Sequence, residues 1–156
     1  MMHAYYHDTT FGRFLIAENG SGIVEIDLVS TDHESPDGCK VSETPLIREA
    51  AKQLDDYFVG TRKVFDLPLD PAGTNFQKKV WQELCRIPYG ETRSYKQIAE
   101  AAGCPKGFRA VGMANNRNPI MIVVPCHRVI GSNGSLVGYA GGLWIKEKLL
   151  KHEGAL

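Results

Sequence analysis

The sequence predicts an α+β fold in two parts. A small antiparallel sheet with one helix occupies residues 1–70, and a mostly helical, helix-turn-helix (winged-helix-like) domain occupies residues 71–156. Three observations carry this reading. The first half holds short runs rich in Val, Ile, Tyr and Phe between turn residues, with a single amphipathic stretch. The second half opens two helices with one capping pattern, Thr74-x-x-Gln77 and Ser94-x-x-Gln97. The halves also differ in charge. Residues 1–74 hold 6 Lys+Arg and 13 Asp+Glu, net −7, and residues 75–156 hold 12 and 5, net +7.

The elements follow in order. Tyr5–Tyr6 and Arg13–Ala17 read as short strands. Asn19-Gly20-Ser21-Gly22 is a turn, and Gly22–Val29 is a third, β-rich run. Thr31–Lys40 is polar, contains Pro36 and Gly38, and reads as a loop. Leu46–Val59 spaces Ile47, Ala50, Leu54 and Tyr57 or Phe58 as an amphipathic helix does, and Gly60 ends it. Lys63–Leu69 reads as a further strand before Pro68 and Pro71 break the chain, which puts the domain boundary near residues 68–74.

Beyond the boundary, a helix from Thr74 places Phe76, Val80 and Leu84 on one face, and Pro88-Tyr89-Gly90 stops it. A second helix runs from Ser94 through Ile98 to Gly103. A turn through Pro105 and Gly107 leads to a third around Phe108–Asn116, and this pair fits a helix-turn-helix unit. Ile120–Val124 reads as a buried strand. Residues 131–142 hold five glycines and read as loop, and Leu143–Glu153 is a last helix closed by Gly154.

Composition excludes several classes. With 156 residues of ordinary composition and no apolar run of membrane-span length, the chain is not a transmembrane helix protein. Residues 1–20 lack a signal-peptide pattern, so the expected location is the cytoplasm. Cys39, Cys85, Cys104 and Cys126 form no C-x-x-C pair, which argues against a disulfide scaffold and against a structural metal site. The net +7 on the second half suggests a polyanionic partner.

The most informative segment is Asn118-Pro119-Ile120-Met121-Ile122-Val123-Val124-Pro125-Cys126-His127-Arg128-Val129-Ile130. An apolar run ends at a proline, and the chain turns where a thiol meets an imidazole and a guanidinium. Cationic neighbours favour the thiolate, which is the nucleophile. Adjacent residues on a regular strand face opposite ways, so His127 serves Cys126 only through a bend or a bridging water. A Cys-His pair alone fits a buried structural cysteine better than a nucleophile, and its context decides.

That context resembles the O6-alkylguanine-DNA alkyltransferase family (the methylated-DNA–protein-cysteine methyltransferases). The signature Pro125-Cys126-His127-Arg128-Val129-Ile130 matches that family's active-site motif. The resemblance continues through Thr92-Arg93-Ser94-Tyr95, Arg109-Ala110-Val111-Gly112, Asn118-Pro119, Gly138-Tyr139-Ala140-Gly141-Gly142 and His152-Glu153-Gly154, and so covers residues 74–154. It implies direct repair of O6-alkylguanine in double-stranded DNA, and of O4-alkylthymine, by single-turnover transfer of the alkyl group to Cys126. It further implies a monomer that needs no cofactor and no metal.

The resemblance also implies roles. His127 takes the thiol proton through a water and Glu153 orients the imidazole. Tyr95 donates to the departing guanine, and Asn118 braces the active-site turn. Arg109 fills the space left by the flipped base, Ala110 and Gly112 let the recognition helix approach the DNA backbone, and Ser94 and Arg128 join the DNA-binding set. Gly138, Tyr139, Ala140 and Met121 wall the alkylguanine pocket. Two other classes remain open at this point. A thiol hydrolase using Cys126, His127 and Glu153 would turn over repeatedly, and a non-catalytic helix-turn-helix binder would leave Cys126 inert. Mass spectrometry after exposure to methylated DNA separates the three.

Overall fold

The computed structural model describes residues 2–35, 37–139 and 142–156. The chain divides into two compact units, Met1–Ala72 and Gly73–Leu156.

The first unit is built on a four-stranded sheet of order β3-β2-β1-β4. Strands β1 (Met2–Thr9), β2 (Gly12–Glu18) and β3 (Ile23–Val29) form an antiparallel meander, irregular at Ala17/Glu18. Strand β4 (Cys39–Val41) adds parallel to β1, inside a segment whose polarity, Pro36 and Gly38 point to loop. Three residues with no alternating pattern carry too little signal to mark it. The central strand β2 is buried from Phe14 onward, because both faces are covered. Leu15 and Ala17 cluster with Ala4 on one face. Phe14 turns the other way, its ring 5.8 Å from that of Phe58.

Helix α1 (Pro45–Val59) covers that second face. Thr44 caps it by accepting from Ile47 N–H, Pro45 occupies the first turn, and Gly60 closes it in the left-handed region. Ile47, Ala50, Leu54 and Tyr57 form the buried stripe, each aliphatic side chain contributing roughly 1.5–3 kcal/mol of burial.

Lys63–Leu69, expected as a strand, makes only an isolated bridge, Leu69 to Ile23. Pro68 O accepts from Ile23 N–H at 2.8 Å, but Asp66 bonds away from the sheet. The buried Gln53 amide donates to Asp66 O and accepts from Asp66 N–H, at 3.0 and 2.9 Å. A side chain satisfies the backbone there, and Pro68 has no N–H to give.

The second unit packs α2 (Asn75–Leu84), α3 (Tyr95–Ala101) and α4 (Phe108–Asn116) against one another. Both capping boxes form, from Thr74 with Gln77 and from Ser94 with Gln97. Trp81 Nε1 donates to Ala114 O at 2.8 Å and ties α2 to α4 inside the core. A two-residue parallel ladder accompanies the helix-turn-helix, β5 (Arg93–Ser94) beside β6 (Val129–Ile130). Helix α5 (Leu143–His152) follows, with Glu153 at its C-cap.

Residues 120–124 are buried as expected but are not a strand. Val124 N–H returns to Ile120 O and Val123 N–H to Met121 O, so the run is a compact turn. Ile122 sits at φ +72°, costly for a β-branched residue and worth about 1–3 kcal/mol of strain. Apolar periodicity cannot separate such a buried turn from a short buried strand. Among the described residues no helix is long and apolar enough to cross a membrane, and no group of three His, Cys, Asp or Glu could hold a metal ion.

Candidate active site: a buried thiol, imidazole and carboxylate

The strained turn delivers Cys126 at the head of a 3-10 turn, Cys126–Arg128. Asn118 fixes it. Its Oδ1 accepts from Ile120 N–H, and its Nδ2 lies 3.3 Å from Ile120 O and 2.7 Å from Val124 O. Asn115, buried on α4, donates through Nδ2 to Cys126 O at 3.4 Å. The 3-10 winding supplies the bend that a strand would deny, so Cys126 and His127 belong to one tight turn.

Cys126 is 5 % exposed. Burial pushes its thiol above the ordinary range, while hydrogen bonds from the Asn118 and Tyr139 side chains and the charge of Lys146 pull the other way. The cationic neighbours expected to favour the thiolate are therefore outweighed by desolvation.

His127 is fully buried, with Nε2 2.7 Å from Glu153 Oε2. Burial pushes the imidazole below its ordinary value, and the carboxylate opposes this. With Nε2–H donating to Glu153, the neutral ring keeps a basic Nδ1, and among the described residues that nitrogen meets no donor or acceptor.

Arg128 is corrected from a DNA contact to an internal strut. It is 6 % exposed, donates through Nε and Nη2 to the two Glu153 oxygens at 2.8 and 3.0 Å, and gives Nη1 to Ile87 O at 2.7 Å. With three of its nitrogens held inside, it is turned away from solvent. The Glu153 carboxylate thus accepts from His127 and Arg128, with Gly90 N–H at 3.4 Å.

Tyr95 is half-buried at the start of α3, its hydroxyl 2.9 Å from Val137 O and 3.2 Å from Gly138 O. Burial raises its pKa, and the neighbouring Cys126 raises it further. Gly138 has φ +60°, and a Cβ there would stand 3.3 Å from the Tyr95 hydroxyl, so a side chain would crowd it. The Tyr139 side chain hydrogen-bonds the Cys126 sulfur, and Met121 is buried. Ala140 lies outside the described residues.

Ser94 is the N-cap of α3, its hydroxyl accepting from Gln97 N–H at 3.1 Å. On α4, Arg109 and Ala110 are exposed and Gly112 is half-buried, its nearest non-local atoms on the Tyr95 ring.

One residue of the site escaped the sequence reading. Lys146 on α5 is 0 % exposed. Its Nζ donates to Val137 O at 2.9 Å and lies over the Tyr95 and Tyr139 rings, 5.7 and 5.9 Å from their centroids. Burial lowers its pKa to about 8, against the pull of Cys126. The signal was available, since Lys146 shares helical spacing with the core residues Leu149 and Leu150.

Fold and site define a helix-turn-helix protein with a buried Cys-His-Glu constellation. Two family models match. The 6-O-methylguanine DNA methyltransferase DNA-binding domain covers residues 75–155, and the ribonuclease-like domain of the same family covers residues 1–71. A methylated-DNA–protein-cysteine methyltransferase of Methanosarcina barkeri is 52% identical over 154 residues, 94% of this chain and 93% of its own length. The constitutive one of Bacillus subtilis is 52% identical over 138 residues, 86% and 84% of the two chains. The crystal structure of the Mycobacterium tuberculosis O6-methylguanine methyltransferase superposes with a TM-score of 0.90 at 43% identity, covering 99% of this chain and 93% of that one. The same organism's protein in complex with DNA gives 0.89, with 97% and 92% covered. The chain belongs to the 6-O-methylguanine DNA methyltransferase family.

Proposed function

We propose that this chain repairs double-stranded DNA by moving the alkyl group from O6 of an alkylated guanine, and from O4 of an alkylated thymine, to the sulfur of Cys126, once per molecule. The observation that carries the reading is the Cys126–His127–Glu153 geometry on a helix-turn-helix unit.

The chemistry follows from the charges. In the resting protein the thiol keeps its proton because burial disfavours the anion. His127 accepts that proton at Nδ1 through a bridging water, and Glu153, held by Arg128, orients the ring and balances the imidazolium. The sulfur attacks the alkyl carbon in line, a C–S bond forms, and the C–O6 bond breaks with its electron pair moving into guanine. Tyr95 donates to the guanine ring as it leaves, swinging its hydroxyl from the Val137 and Gly138 carbonyls. Lys146, beside the thiol and Tyr95, stabilises negative charge at both.

The base must leave the stack to reach a buried thiol, at a cost of about a few kcal/mol. Arg109, exposed at the start of α4, fills the gap, and Ala110 and Gly112 allow close approach to the backbone. Ser94 presents the start of α3 to the DNA, and Gly138, Tyr139 and Met121 wall the pocket. The protein acts as a monomer in the cytoplasm, where reducing conditions keep Cys126 a thiol.

The product is a thioether. It has no carbonyl for water to attack and no disulfide for thiol exchange to reopen. Titration with excess methylated duplex should therefore plateau at or below one repaired guanine per chain. Peptide mapping should find the alkyl group on Cys126 and not on Cys39, Cys85 or Cys104. Repair continuing past several equivalents would mean a hydrolase, and unmodified Cys126 after exposure would mean a binding protein.

A further inference from the structure

A second concavity lies beside the thiol site and serves none of the steps above. It has a volume of about 520 Å³ and is lined by Tyr95, Lys96, Pro105, Lys106, Phe108 and Ser132. Its composition is unusual for a surface. Phe108 is the first residue of α4 and is 52 % exposed, a large aromatic turned to water directly before Arg109. Lys96 and Lys106 are exposed, and among the described residues neither has an ion-pair partner. An aromatic face set between free ammonium groups suits a ligand with a flat π surface and negative charge on either side. One nucleotide of an unstacked strand has that chemistry, because a base stacks on the ring while its flanking phosphates meet the lysines.

Position supports that occupant. Tyr95 borders this cavity and also makes the hydroxyl contacts to the Val137–Gly138 wall beside Cys126. A strand whose alkylated base lies against Tyr95 therefore passes the cavity within a nucleotide or so. Everting one base removes a stacking partner from each of its neighbours. A neighbour that finds a replacement surface on Phe108 lowers the cost of eversion.

We infer that this cavity binds a nucleotide adjacent to the everted base in the lesion strand, with Phe108 as its stacking platform and Lys96 and Lys106 as its phosphate contacts. The inference rests on the repair reading above and adds a second aromatic grip to it.

The test is a cycle between protein and DNA on a Cys126→Ser background, which holds the complex before transfer. Binding is measured to a duplex containing O6-methylguanine, with the nucleotide on its 5′ or its 3′ side either intact or abasic. Phe108→Ala should weaken binding to the intact duplex by about five- to 150-fold, the range for losing one base–aromatic stack. On the duplex made abasic at the correct neighbour that loss should largely vanish, because the stacking partner is already gone. Phe108→Trp should bind as the parent does, and Phe108→Leu should fall between, separating stacking from simple apolar filling. Lys96→Ala with Lys106→Ala should flatten the salt dependence by about two phosphate contacts.

Equal losses on intact and abasic duplexes, or no loss at all, would overturn the assignment. Urea unfolding of each variant identifies a loss that comes from misfolding, and in that case Phe108→Leu carries the cycle. The repair reading is tested separately, since a parent chain with Cys126 intact that gains no alkyl group fails on that reading and not on this one.

Discussion

The two units handle charge in different ways. In Met1–Ala72 the ion pairs lie at the surface, as in Arg13–Asp8, Arg48–Glu43 and Lys52–Asp56, over a core of aliphatic and aromatic side chains. Its buried carboxylate, Glu18, accepts from Gly20 N–H beside a turn. Gly73–Leu156 has surface pairs too, such as Lys151–Glu147, but it also holds a charged cluster inside, with His127, Arg128, Lys146 and Glu153 all buried. Surface pairs contribute little and cost little. Buried charges cost several kcal/mol each unless fully paired, so a fold keeps them only where they do something that apolar side chains cannot. Residues that oppose stability therefore mark the chemistry, and the unit richest in them is the reactive one.

The contrast can be broken most severely at Glu153. Glu153→Gln keeps the shape but leaves Arg128 buried without its counter-charge. It should cost about 3–5 kcal/mol in urea unfolding and abolish measurable transfer. Full activity in a stably folded Glu153→Gln protein would show that the carboxylate serves neither purpose.

The aliphatic core of the first unit offers the matching test. Leu54→Ala in α1 should lose about 2–5 kcal/mol, while molecules that remain folded still accept one alkyl group each. Stoichiometry below that of the parent, corrected for folded fraction, would mean that the first unit shapes the site.

Lys146 sharpens the contrast, because stability and rate should move in opposite directions. Lys146→Met removes a buried charge of similar length and should hold or raise the unfolding midpoint, yet slow transfer by about 10²-fold. The pH dependence has a definite sign. The folded pKa of about 8 lies below the ordinary 10.5, so the unfolded chain binds more protons between those values. The penalty of burying this ammonium is complete below pH 8 and is relieved as pH rises toward 10.5. Lys146→Met should remove that rising limb. His127 gives the acid counterpart. Its folded pKa is lowered below the ordinary 6.5, so its contribution to stability is complete above 6.5 and is lost as pH falls below it.

The smallest effect belongs to the surface. Asp8→Asn breaks the pair with Arg13, and neither the unfolding midpoint nor transfer should change measurably.

Much of this was legible in the sequence, for identifiable reasons. The capping boxes at Thr74 and Ser94 are local contacts encoded within four residues, and both are present. The α1 stripe follows from periodicity alone. The parts misread were those decided by side-chain contacts and backbone conformation that residue pattern does not carry. Residues 63–69 carry strand-like composition, but Gln53 on α1 takes both backbone bonds of Asp66, and pairing with β3 is limited to the bridge at Ile23. Residues 120–124 look like a strand until the Asn118 side chain and a positive φ at Ile122 wind them into a turn. Arg128 sits in a basic half beside a reactive cysteine, yet Glu153, 25 residues on, draws it inward. Lys146 needed its own helix read for a charge inside an apolar stripe.

The burial of Cys126 also bears on which other reagents can consume it. Oxidation of cysteine to sulfenic acid follows thiolate character and solvent access. Cys126 offers little of either, being 5 % exposed with its ionisation held back by burial. Peroxide or a diffusing electrophile would meet a shielded, protonated sulfur, whereas a base carried into the pocket meets it beside its proton acceptor. A reagent spent in one reaction gains from such discrimination, because each molecule lost to a stray oxidant is one lesion left in place. The supply of unreacted chains should then fall with the number of alkylated bases encountered and stay nearly indifferent to oxidative stress in the same cell.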